Sequence, residues 1–436
     1  MGCLLTWLSA LPGGNELCWN YPNFEDKVLT FEQCCSSQAA AKECFRGWLE
    51  QDVDREFDAL QGSRWTEEDF DAYEEELRQY RDARPGELGY LPCRVRVRDG
   101  HLIPCNYSLC QSTVDPGNDC SYVRAVEVAL RIIGTHVPLP DLDMFISPTN
   151  NDAGVDSIPV FTRSRPRDPR GLYIALPFEF QLHPWQSRKS LAVLPKVVSK
   201  HPWKQRIGKL FWRGTNSNHV TNHCSLKEVS DGQAPWSLCM EGWQESLVGE
   251  QDEWLASSWN FSNWYKTPRG LLVLLGQHVP AMDAKWTGIS RKMDPDLWDY
   301  FEAENMTAPK VKLSEQLIYK FGINIEGTGT GDRIYWQMMG GQVVLNHETP
   351  QVSWLLADPS SPRRQGALRP YEHYIPIRFD LADLVDRLEW LQRNDELARS
   401  IAESSQMFAE RHLGYDSILF YLDRVIRRYA SEHLRL

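Results

Sequence analysis

A glycine-rich loop is the segment of this 436-residue sequence best suited to binding phosphate. It runs Gly327-Thr-Gly-Thr-Gly-Asp-Arg333 and directly follows a predicted strand at residues 322–326. Glycines between a strand and a helix expose backbone N–H groups and let a phosphate approach closely. Arg333 would then lie in the first helical turn, where its guanidinium can bind a diphosphate bidentately. The Walker and dinucleotide-binding spacings are both absent. A plain tight turn is the alternative.

Two further candidates come at the ends of other predicted strands. Phe211-Trp-Arg-Gly-Thr215 ends a strand with Arg213, and ligands of α/β sheets bind at the carboxyl ends of strands. An ion pair between Arg213 and a nearby carboxylate is the alternative. Asn150-Asn-Asp152 follows a strand at 144–146, and a carboxylate in a cleft can act as a general base toward a hydroxyl. Asn-Asp turns are also common without any catalytic role.

Possible metal ligands occur in patterns that are incomplete. Asp141-Leu-Asp143 and Asp294-Pro-Asp296 have a D-x-D spacing that can hold a divalent ion, but the first precedes its strand and the second follows no clear strand. His219-x-x-x-His223-Cys224 has zinc-ligand types at helical spacing, with Cys239 as a possible fourth ligand. A disulfide between Cys224 and Cys239 is the favoured interpretation. We therefore predict that the protein binds no metal ion.

Composition is that of a globular protein of two or three domains. Apolar residues make up 42% and charged residues 24%, which argues against global disorder. The net charge of −12 disfavours a nucleic-acid-binding protein, because phosphate backbones attract basic surfaces. No run of 18 apolar residues occurs, so no transmembrane helix is predicted.

Cysteines and glycosylation sequons together favour the secretory lumen. Nine of the 11 cysteines precede residue 121, a clustering typical of a disulfide framework. Sequons for N-glycosylation begin at Asn106, Asn260 and Asn305. The alternative is a lipid-anchored cytosolic protein. Residues 1–6 match the N-myristoylation pattern, and Cys3 could be palmitoylated.

The elements that must position these residues alternate between short strands and helices. Thr66-Glu-Glu-Asp69 predicts a capping box, and an apolar helix face follows it. The alternation after residue 122 predicts an α/β fold with mainly parallel sheets. Strands are predicted at 144–146, 160–161, 172–176, 210–212, 323–325 and 343–345, and helices at 123–133, 334–340, 380–392, 395–412 and 415–432.

Several motifs occur in a fixed order along the chain. They are Phe211-Trp-Arg-Gly-Thr215, Lys320-Phe-Gly-Ile-Asn-Ile-Glu-Gly327, Asp332-Arg333, Met339-Gly-Gly-Gln-Val-Val-Leu345, Leu368-Arg-Pro-Tyr-Glu-His-Tyr-Ile-Pro376, Asp380-Leu-Ala-Asp-Leu384 and Ile401-Ala-Glu403. In this order they resemble the protein O-glucosyltransferase (Rumi) family, which also includes fungal capsule-associated xylosyltransferases. The resemblance extends over residues 105–430.

The resemblance implies a GT-B fold, with two Rossmann-like domains and a cleft between them. Residues 86–200, joined by a helix at 414–436, would form the acceptor-side domain, and 201–413 the UDP-sugar-binding domain. Residues 1–85 would be a cysteine-rich extension with one amphipathic helix.

The implied activity is inverting, metal-independent transfer of glucose or xylose from a UDP-sugar to a hydroxyl of a protein or glycan. The secretory lumen that the cysteines and sequons favour would be that of the endoplasmic reticulum or Golgi. The alternative is a non-catalytic luminal protein that binds a sugar or nucleotide and keeps the fold.

Donor-binding roles follow from the same resemblance. Arg213, beside Gly214, matches the family's arginine that contacts the donor diphosphate. A family loop that ends in Ser-Phe-Arg and wraps the nucleotide is matched by Thr328, Gly329, Thr330, Gly331, Asp332 and Arg333. Asp332 stands where the family has an aromatic residue, so donor geometry or sugar preference is expected to differ.

Catalytic, acceptor-side and disulfide positions are implied as well. Asp152 is the best match to the family's catalytic base, with Asp156 as the fallback. Cys105 and Cys110 match a family disulfide. A loop near the acceptor and the donor sugar is matched by Phe178, Glu179 and Phe180.

Overall fold

The computed structural model describes residues 53, 57, 60, 62–83, 91–107, 110, 120–148, 157–166, 172–177, 179–182, 194–217, 259–261, 264–290, 293–325, 327, 331–349, 351–356, 368–378 and 380–436. The chain divides into two compact units. The first comprises Met1–Arg188, Val352–Ala367 and Arg411–Leu436, and the second comprises Lys189–Gln351 and Leu368–Glu410. None of the described helices is both long and apolar enough to cross a membrane. The predicted domain boundaries, including a separate extension at 1–85, stay predictions.

Helices and strands alternate along most of the described chain, which confirms the mixed α/β architecture. The helices are α1 (Glu67–Ala83), α2 (Ser121–His136), α3 (Glu179–Leu182), α4 (Leu194–Lys200), α5 (Pro268–His278), α6 (Pro295–Ala303), α7 (Leu313–Gln316), α8 (Arg333–Met339), α9 (Leu384–Arg393), α10 (Asp395–His412) and α11 (Tyr415–His433). The strands are β1 (Trp65–Thr66), β2 (Cys93–Arg98), β3 (His101–Ile103), β4 (Leu142–Ile146), β5 (Val160–Thr162), β6 (Ser164–Pro166), β7 (Tyr173–Ala175), β8 (Ile207–Thr215), β9 (Met282–Gly288), β10 (Tyr319–Asn324), β11 (Val343–His347), β12 (Gln351–Ser353), β13 (Ile375–Ile377) and β14 (Leu434–Arg435).

The first unit contains a mixed sheet in the order β3-β2-β4-β5-β7. Strand β2 runs antiparallel to both of its neighbours, whereas β4, β5 and β7 are parallel. All five residues of β4 are buried, as expected of a central strand that is covered on both faces. The prediction of mainly parallel sheets therefore holds only for part of this sheet.

Helix α1 begins with the predicted capping box. The backbone N–H of Thr66 donates to Oδ2 of Asp69 at 2.7 Å, and the N–H of Asp69 donates to Oγ1 of Thr66 at 3.4 Å. These two bonds satisfy backbone donors that the first helical turn leaves unpaired. Phe70 and Tyr73 are buried on the apolar face, where their rings pack against Phe145 of β4.

A buried charge network joins α1 to the first sheet. Asp143 of β4 is fully buried and accepts from Nε and Nη2 of Arg94 at 2.6 and 2.7 Å and from Nη2 of Arg98 at 3.0 Å. Arg94 also donates to Asp71 and Glu74 of α1. Burial alone would lower the pKa of Arg94, but its hydrogen bonds to Asp143 and Asp71 outweigh that effect and raise it. Asp143 of the first D-x-D pattern is therefore part of an ion-pair network, whereas Asp141 accepts from the backbone N–H of Asp99.

Two disulfides correct the pairing that the sequence implied. Cys105 bonds to Cys93 and Cys110 bonds to Cys120, so a Cys105–Cys110 bond is wrong. The β2–β3 hairpin brings Cys93 and Cys105 to a Cα separation of 5.8 Å, and the start of α2 brings Cys120 to 5.7 Å from Cys110. Both separations suit a disulfide. The predicted Cys224–Cys239 pair lies outside the described residues.

The second unit contains a fully parallel sheet in the order β13-β11-β10-β8-β9. Buried aromatic side chains fill one side of it: the indole of Trp212 packs edge-on against that of Trp286, which also contacts Trp259 and Phe301. All four side chains are at most 1% exposed. Strand β9 and helix α5, neither of which the sequence predicted, complete this unit.

Candidate functional site

The carboxyl ends of β8 and β10 mark the place where a ligand is expected. The chain leaves β8, passes through α5 and forms β9 on one edge of β8. It then crosses to the other edge of β8 and forms β10 there. The strand order thus reverses between β8 and β10, and parallel α/β sheets bind ligands in the crevice at such a reversal. We refer to this place as the strand-end site.

Arg213 ends β8 with its guanidinium engaged by a carboxylate. Its Nη2 lies 2.8 Å from Oδ1 of Asp283 on β9, and its Nη1 donates to the main-chain oxygens of Trp212 and Asp283 at 2.9 Å each. The guanidinium also lies over the Phe211 ring, 4.3 Å from its centroid. The ion pair that the sequence left open as an alternative is therefore present. Contact between Arg213 and a donor diphosphate stays a prediction.

Arg333, at the start of α8, reaches the same strand end. Its Nη2 donates to the main-chain oxygen of Arg213 at 2.6 Å, and its guanidinium lies 5.7 Å from the centroid of the Trp212 ring. Burial lowers the pKa of Arg333, with Asp332 acting in the opposite direction. Within the described ranges, no carboxylate lies at ion-pair distance from Arg333. A partly buried guanidinium of this kind is suited to an anionic ligand.

The buried indole of Trp212 lies beneath the strand-end site, next to the guanidinium groups of Arg333 and Arg269. Side chains alternate along a strand, so Trp212 and Gly214 share one face of β8 while Phe211 and Arg213 share the other. The Trp212 indole is fully buried and occupies the space that a Cβ on Gly214 would need. Gly214 was predicted from its place beside Arg213, and the structure indicates that its role is to make room for this ring.

Arg269 is a site residue that sequence reasoning missed. It lies in the first turn of α5, whose N-cap Thr267 accepts from the N–H of Gly270 at 3.1 Å. Nη1 of Arg269 donates to the main-chain oxygen of Thr215 at 2.9 Å, and its guanidinium lies 5.7 Å from the Trp212 centroid. The sequence Thr267-Pro-Arg signals only a helix start, so nothing local connected Arg269 with a ligand.

The glycine-rich loop passes close to these side chains at both of its described ends. A Cβ on Gly327 would lie 2.5 Å from Nη2 of Arg269 and 2.7 Å from Oγ of Ser217. A Cβ on Gly331 would collide with Oδ1 of Asn324, at the end of β10. Both glycines are therefore required by the close approach of protein side chains, whereas the predicted approach of a phosphate stays a prediction. Thr328, Gly329 and Thr330 lie outside the described residues.

Asn324 forms the floor of the strand-end site. It is 3% exposed, and its Nδ2 donates to Oδ1 of Asn346 on the neighbouring strand at 2.8 Å. Its own Oδ1 has no hydrogen-bond partner within the described part of the protein. A buried acceptor without a donor is costly, so this oxygen is suited to a donor group on a ligand.

Several predicted residues fall where side chains are not described. Asp152, Asp156 and Phe178 lie outside the described residues. Glu179 and Phe180 lie in the short helix α3, and their backbone alone is described. Their predicted roles as base and as acceptor-side contacts stay predictions.

The predicted sequon asparagines differ in exposure. Asn106 and Asn305 are exposed, and Asn260 is half-buried. Oδ1 of Asn305 accepts from Nζ of Lys285 at 2.8 Å. Glycosylation at each of the three stays a prediction.

The candidate metal patterns have structural roles where they are described. Asp294 is the N-cap of α6, and its Oδ1 accepts from the N–H of Asp296 at 3.1 Å. The sulfurs of Cys93, Cys105 and Cys110 lie close together, but all three are in disulfides and offer no thiolate. His219, His223, Cys224 and Cys239 lie outside the described residues.

Comparison with known proteins confirms the family resemblance. Residues 257–434 match the family model described as glycosyl transferase family 90. Protein O-glucosyltransferase 2 of Danio rerio is 31% identical over 145 residues, covering 32% of this chain and 27% of that protein. Protein O-glucosyltransferase 3 of Rattus norvegicus is 30% identical over 167 residues, covering 37% and 29%.

A further relative is matched over a longer span at lower identity. Protein O-glucosyltransferase 1 of Rattus norvegicus is 24% identical over 214 residues, covering 46% of this chain and 51% of that protein. The chain therefore spans between about a quarter and half of the length of these relatives. Arg269, Gly327 and Arg333 lie within the family match, whereas Arg213 precedes it.

Proposed function

Residues 257–434 carry a family 90 glycosyl transferase domain, and on that premise we propose that the protein transfers glucose or xylose from a UDP-sugar to a hydroxyl of a protein or glycan. The relatives' names, which specify O-glucosyl transfer, support glucose. The observation that carries the proposal is Arg333, a guanidinium at the sheet's strand-order reversal with no described carboxylate at ion-pair distance.

The donor diphosphate fits the strand-end site by charge. Arg333 supplies positive charge at the end of β8, and a strand end followed by a glycine-rich loop and a helix start favours an anion. Guanidinium groups that stabilise the negative charge of a leaving diphosphate perform the role that a divalent ion has in other transferases. On this basis we propose that transfer is independent of a metal ion.

The proposed reaction inverts the anomeric centre. Asp152, with Asp156 as the fallback, removes the proton from the acceptor hydroxyl. The hydroxyl oxygen attacks the anomeric carbon from the face opposite the diphosphate and forms the new glycosidic bond. The bond from the anomeric carbon to the diphosphate oxygen breaks, and UDP leaves with that electron pair. A GT-B arrangement, with Phe178, Glu179 and Phe180 near the acceptor, is part of this proposal.

The proposed compartment is the lumen of the endoplasmic reticulum or Golgi. The disulfides Cys93–Cys105 and Cys110–Cys120 support it, because disulfides persist in oxidising compartments. The sequons at Asn106, Asn260 and Asn305 agree with it. The partners implied are a UDP-sugar and an acceptor protein or glycan.

UDP binding tests the donor site. UDP at 100 times its dissociation constant should stabilise the wild type by about 2.7 kcal/mol. Arg333→Ala should lose this stabilisation, whereas Arg399→Ala, which removes an arginine from an exposed pair with Glu403, should keep it. A well-folded wild type whose unfolding temperature UDP leaves unchanged would contradict the proposal.

Transfer assays test the activity itself. Wild-type protein is incubated with UDP-glucose or UDP-xylose and a cysteine-rich acceptor module, and UDP release and acceptor mass are measured. Asp152→Asn should abolish transfer and keep UDP binding. If the protein binds UDP but neither transfers sugar to an acceptor nor releases UDP from either sugar nucleotide, the non-catalytic alternative is favoured.

A further inference from the structure

We propose that the second unit docks on an anionic lipid surface through the amino end of β8, where exposed lysines surround an exposed isoleucine. We refer to this place as the basic surface; it comprises Lys196, Lys200, Lys204, Ile207 and Lys209. It lies at the end of β8 opposite the strand-end site. The inference goes beyond the proposed function and does not depend on it.

Positive charge is concentrated in the part of the chain that contains the basic surface. Residues 180–227 include nine lysines and arginines and no aspartate or glutamate, in a chain whose net charge is −12. The four lysines at 196, 200, 204 and 209 are all exposed. Within the described ranges, none of them has a carboxylate at ion-pair distance. Their charges are therefore available to a partner that carries negative charge.

Arg206 fixes the backbone that presents these lysines. It is buried, its Nε donates to the main-chain oxygen of His201 at 2.9 Å, and its Nη1 donates to the main-chain oxygen of Gly341. The first bond closes the turn between α4 and β8. Lys196 and Lys200 stand four residues apart on α4, so they project from the same side of that helix. The lysines thus lie on ordered backbone, as a fixed docking surface requires.

Ile207 points to a lipid surface as the partner. It is the first residue of β8, it is 40% exposed, and it lies between Lys204 and Lys209 in the sequence. An aliphatic side chain gains nothing from a soluble polyanion, but at a bilayer it enters the boundary between headgroups and acyl chains. Lysine suits the same boundary, because its methylene stem lies along apolar groups while the ammonium stays in water. Trp203, which is half-buried nearby, is a residue type enriched at membrane interfaces.

Asp395 borders the basic surface and is already paired. It lies at the start of α10, with Oδ1 at 2.6 Å from Nζ of Lys320, and that ammonium lies 5.0 Å from the centroid of the Trp203 ring. Gln392, near the end of α9, donates from Nε2 to the main-chain oxygen of Gly208 at 2.7 Å. The end of α9 therefore meets the basic surface through an uncharged side chain.

Docking at this end leaves the strand-end site open. The sheet is fully parallel, so its amino ends lie at the edge opposite the carboxyl ends where a ligand is expected. Strand β8 has nine residues, which span about 25–30 Å. A bilayer at the amino end of β8 would lie about that far from the strand-end site.

The experiment measures co-sedimentation of the protein with vesicles of phosphatidylcholine alone and of phosphatidylcholine mixed with phosphatidylserine. The wild type should bind the mixed vesicles, bind them less as salt is raised, and leave the neutral vesicles unbound. Lys204→Gln/Lys209→Gln should weaken binding about 25-fold, because each lysine near an anionic surface contributes about fivefold. Ile207→Ser should weaken it roughly tenfold through lost apolar contact.

Arg131→Gln/Arg435→Gln is the matched control. Both arginines are exposed in the first unit, so the variant changes the net charge by the same amount and should bind the mixed vesicles as the wild type does. Exposed side chains without partners contribute little to stability, so all these variants should unfold at nearly the wild-type temperature.

A wild type that does not sediment with the mixed vesicles would overturn the inference. So would equal losses in the lysine and arginine variants, because net charge and not the basic surface would then govern binding. Binding to soluble polyglutamate without binding to vesicles would also overturn it, in favour of an acidic polypeptide partner. The lysine variant should bind UDP in solution as the wild type does, so failure of this inference and failure of the proposed function are separately visible.

Discussion

The network around Asp143 makes a quantitative prediction about the first unit. Asp143 is fully buried and accepts three hydrogen bonds from Arg94 and Arg98. Asp143→Asn keeps the shape of the side chain and removes its charge, so a buried guanidinium loses its main partner. Breaking a buried pair from one side costs about 3–5 kcal/mol. At about 2–4 °C per kcal/mol for a unit of this size, we expect the unfolding temperature to fall by roughly 10 °C.

Glu67→Gln is the matched control, because Glu67 belongs to the same network at its exposed end. Its side chain is 51% exposed, and Oε1 lies 3.1 Å from Nη2 of Arg98. An exposed pair contributes about 0–1 kcal/mol, so this variant should unfold within about 2 °C of the wild type.

Scanning calorimetry of both variants, with hydrogen exchange of α1, measures the effect. Asp143→Asn should also speed exchange in α1, because Arg94 joins this helix to β4 through Asp71 and Glu74. Equal small losses in Asp143→Asn and Glu67→Gln would refute the reasoning, since burial would then have no energetic consequence.

Three further predictions concern stability and the strand-end site. Burial raises the pKa of Asp423 to about 6. The free energy of unfolding should therefore fall by about 3 kcal/mol as pH rises from about 4 to about 6, because the folded protein holds this proton more tightly than the unfolded chain does. Unfolding of Asp423→Asn measured across this pH window should lack that fall, and a variant with the same pH dependence as the wild type would contradict the reasoning. Thr267→Ala removes the N-cap bond to Gly270 and should cost about 1–2 kcal/mol in thermal unfolding, whereas Thr267→Ser should cost little; equal losses would argue against the cap. Gly331→Ala places a Cβ against Asn324 and should weaken UDP binding about tenfold, and adding Asn324→Ala should restore part of the space; a double variant no better than the single one would refute the steric explanation.

Patterns within short stretches of sequence predicted the helix cap and several buried strands. The capping box at Thr66 and Asp69 is present as predicted, since both partners lie within one helical turn. Predicted strands at 210–212 and 343–345 lie within β8 and β11, and the one at 323–325 overlaps the end of β10, because apolar runs that turn into polar loops are typical of buried parallel strands. Strand β9 was missed although Met282-Asp-Ala-Lys-Trp-Thr-Gly288 alternates apolar and polar residues, a pattern typical of an edge strand with one buried face.

The strand-end site was predictable only in part. The glycine spacing and Arg333 pointed to it, because the loop and the helix start are contiguous in sequence. Arg269 did not, since it reaches Thr215 of β8 only after α5 packs against β9. The partner of Arg213 depends on β9, which brings Asp283 to it from 70 residues away.

The sequence by itself determined the α/β class, the glycine loop and the family resemblance. All three depend on residue types at short or fixed spacing. The tertiary structure alone decided which cysteines pair, which carboxylate Arg213 meets, and that Arg269 shares a ring with Arg333. Those choices depend on distances between segments remote in sequence. Strand order and hairpin register set such distances, and no local pattern encodes them.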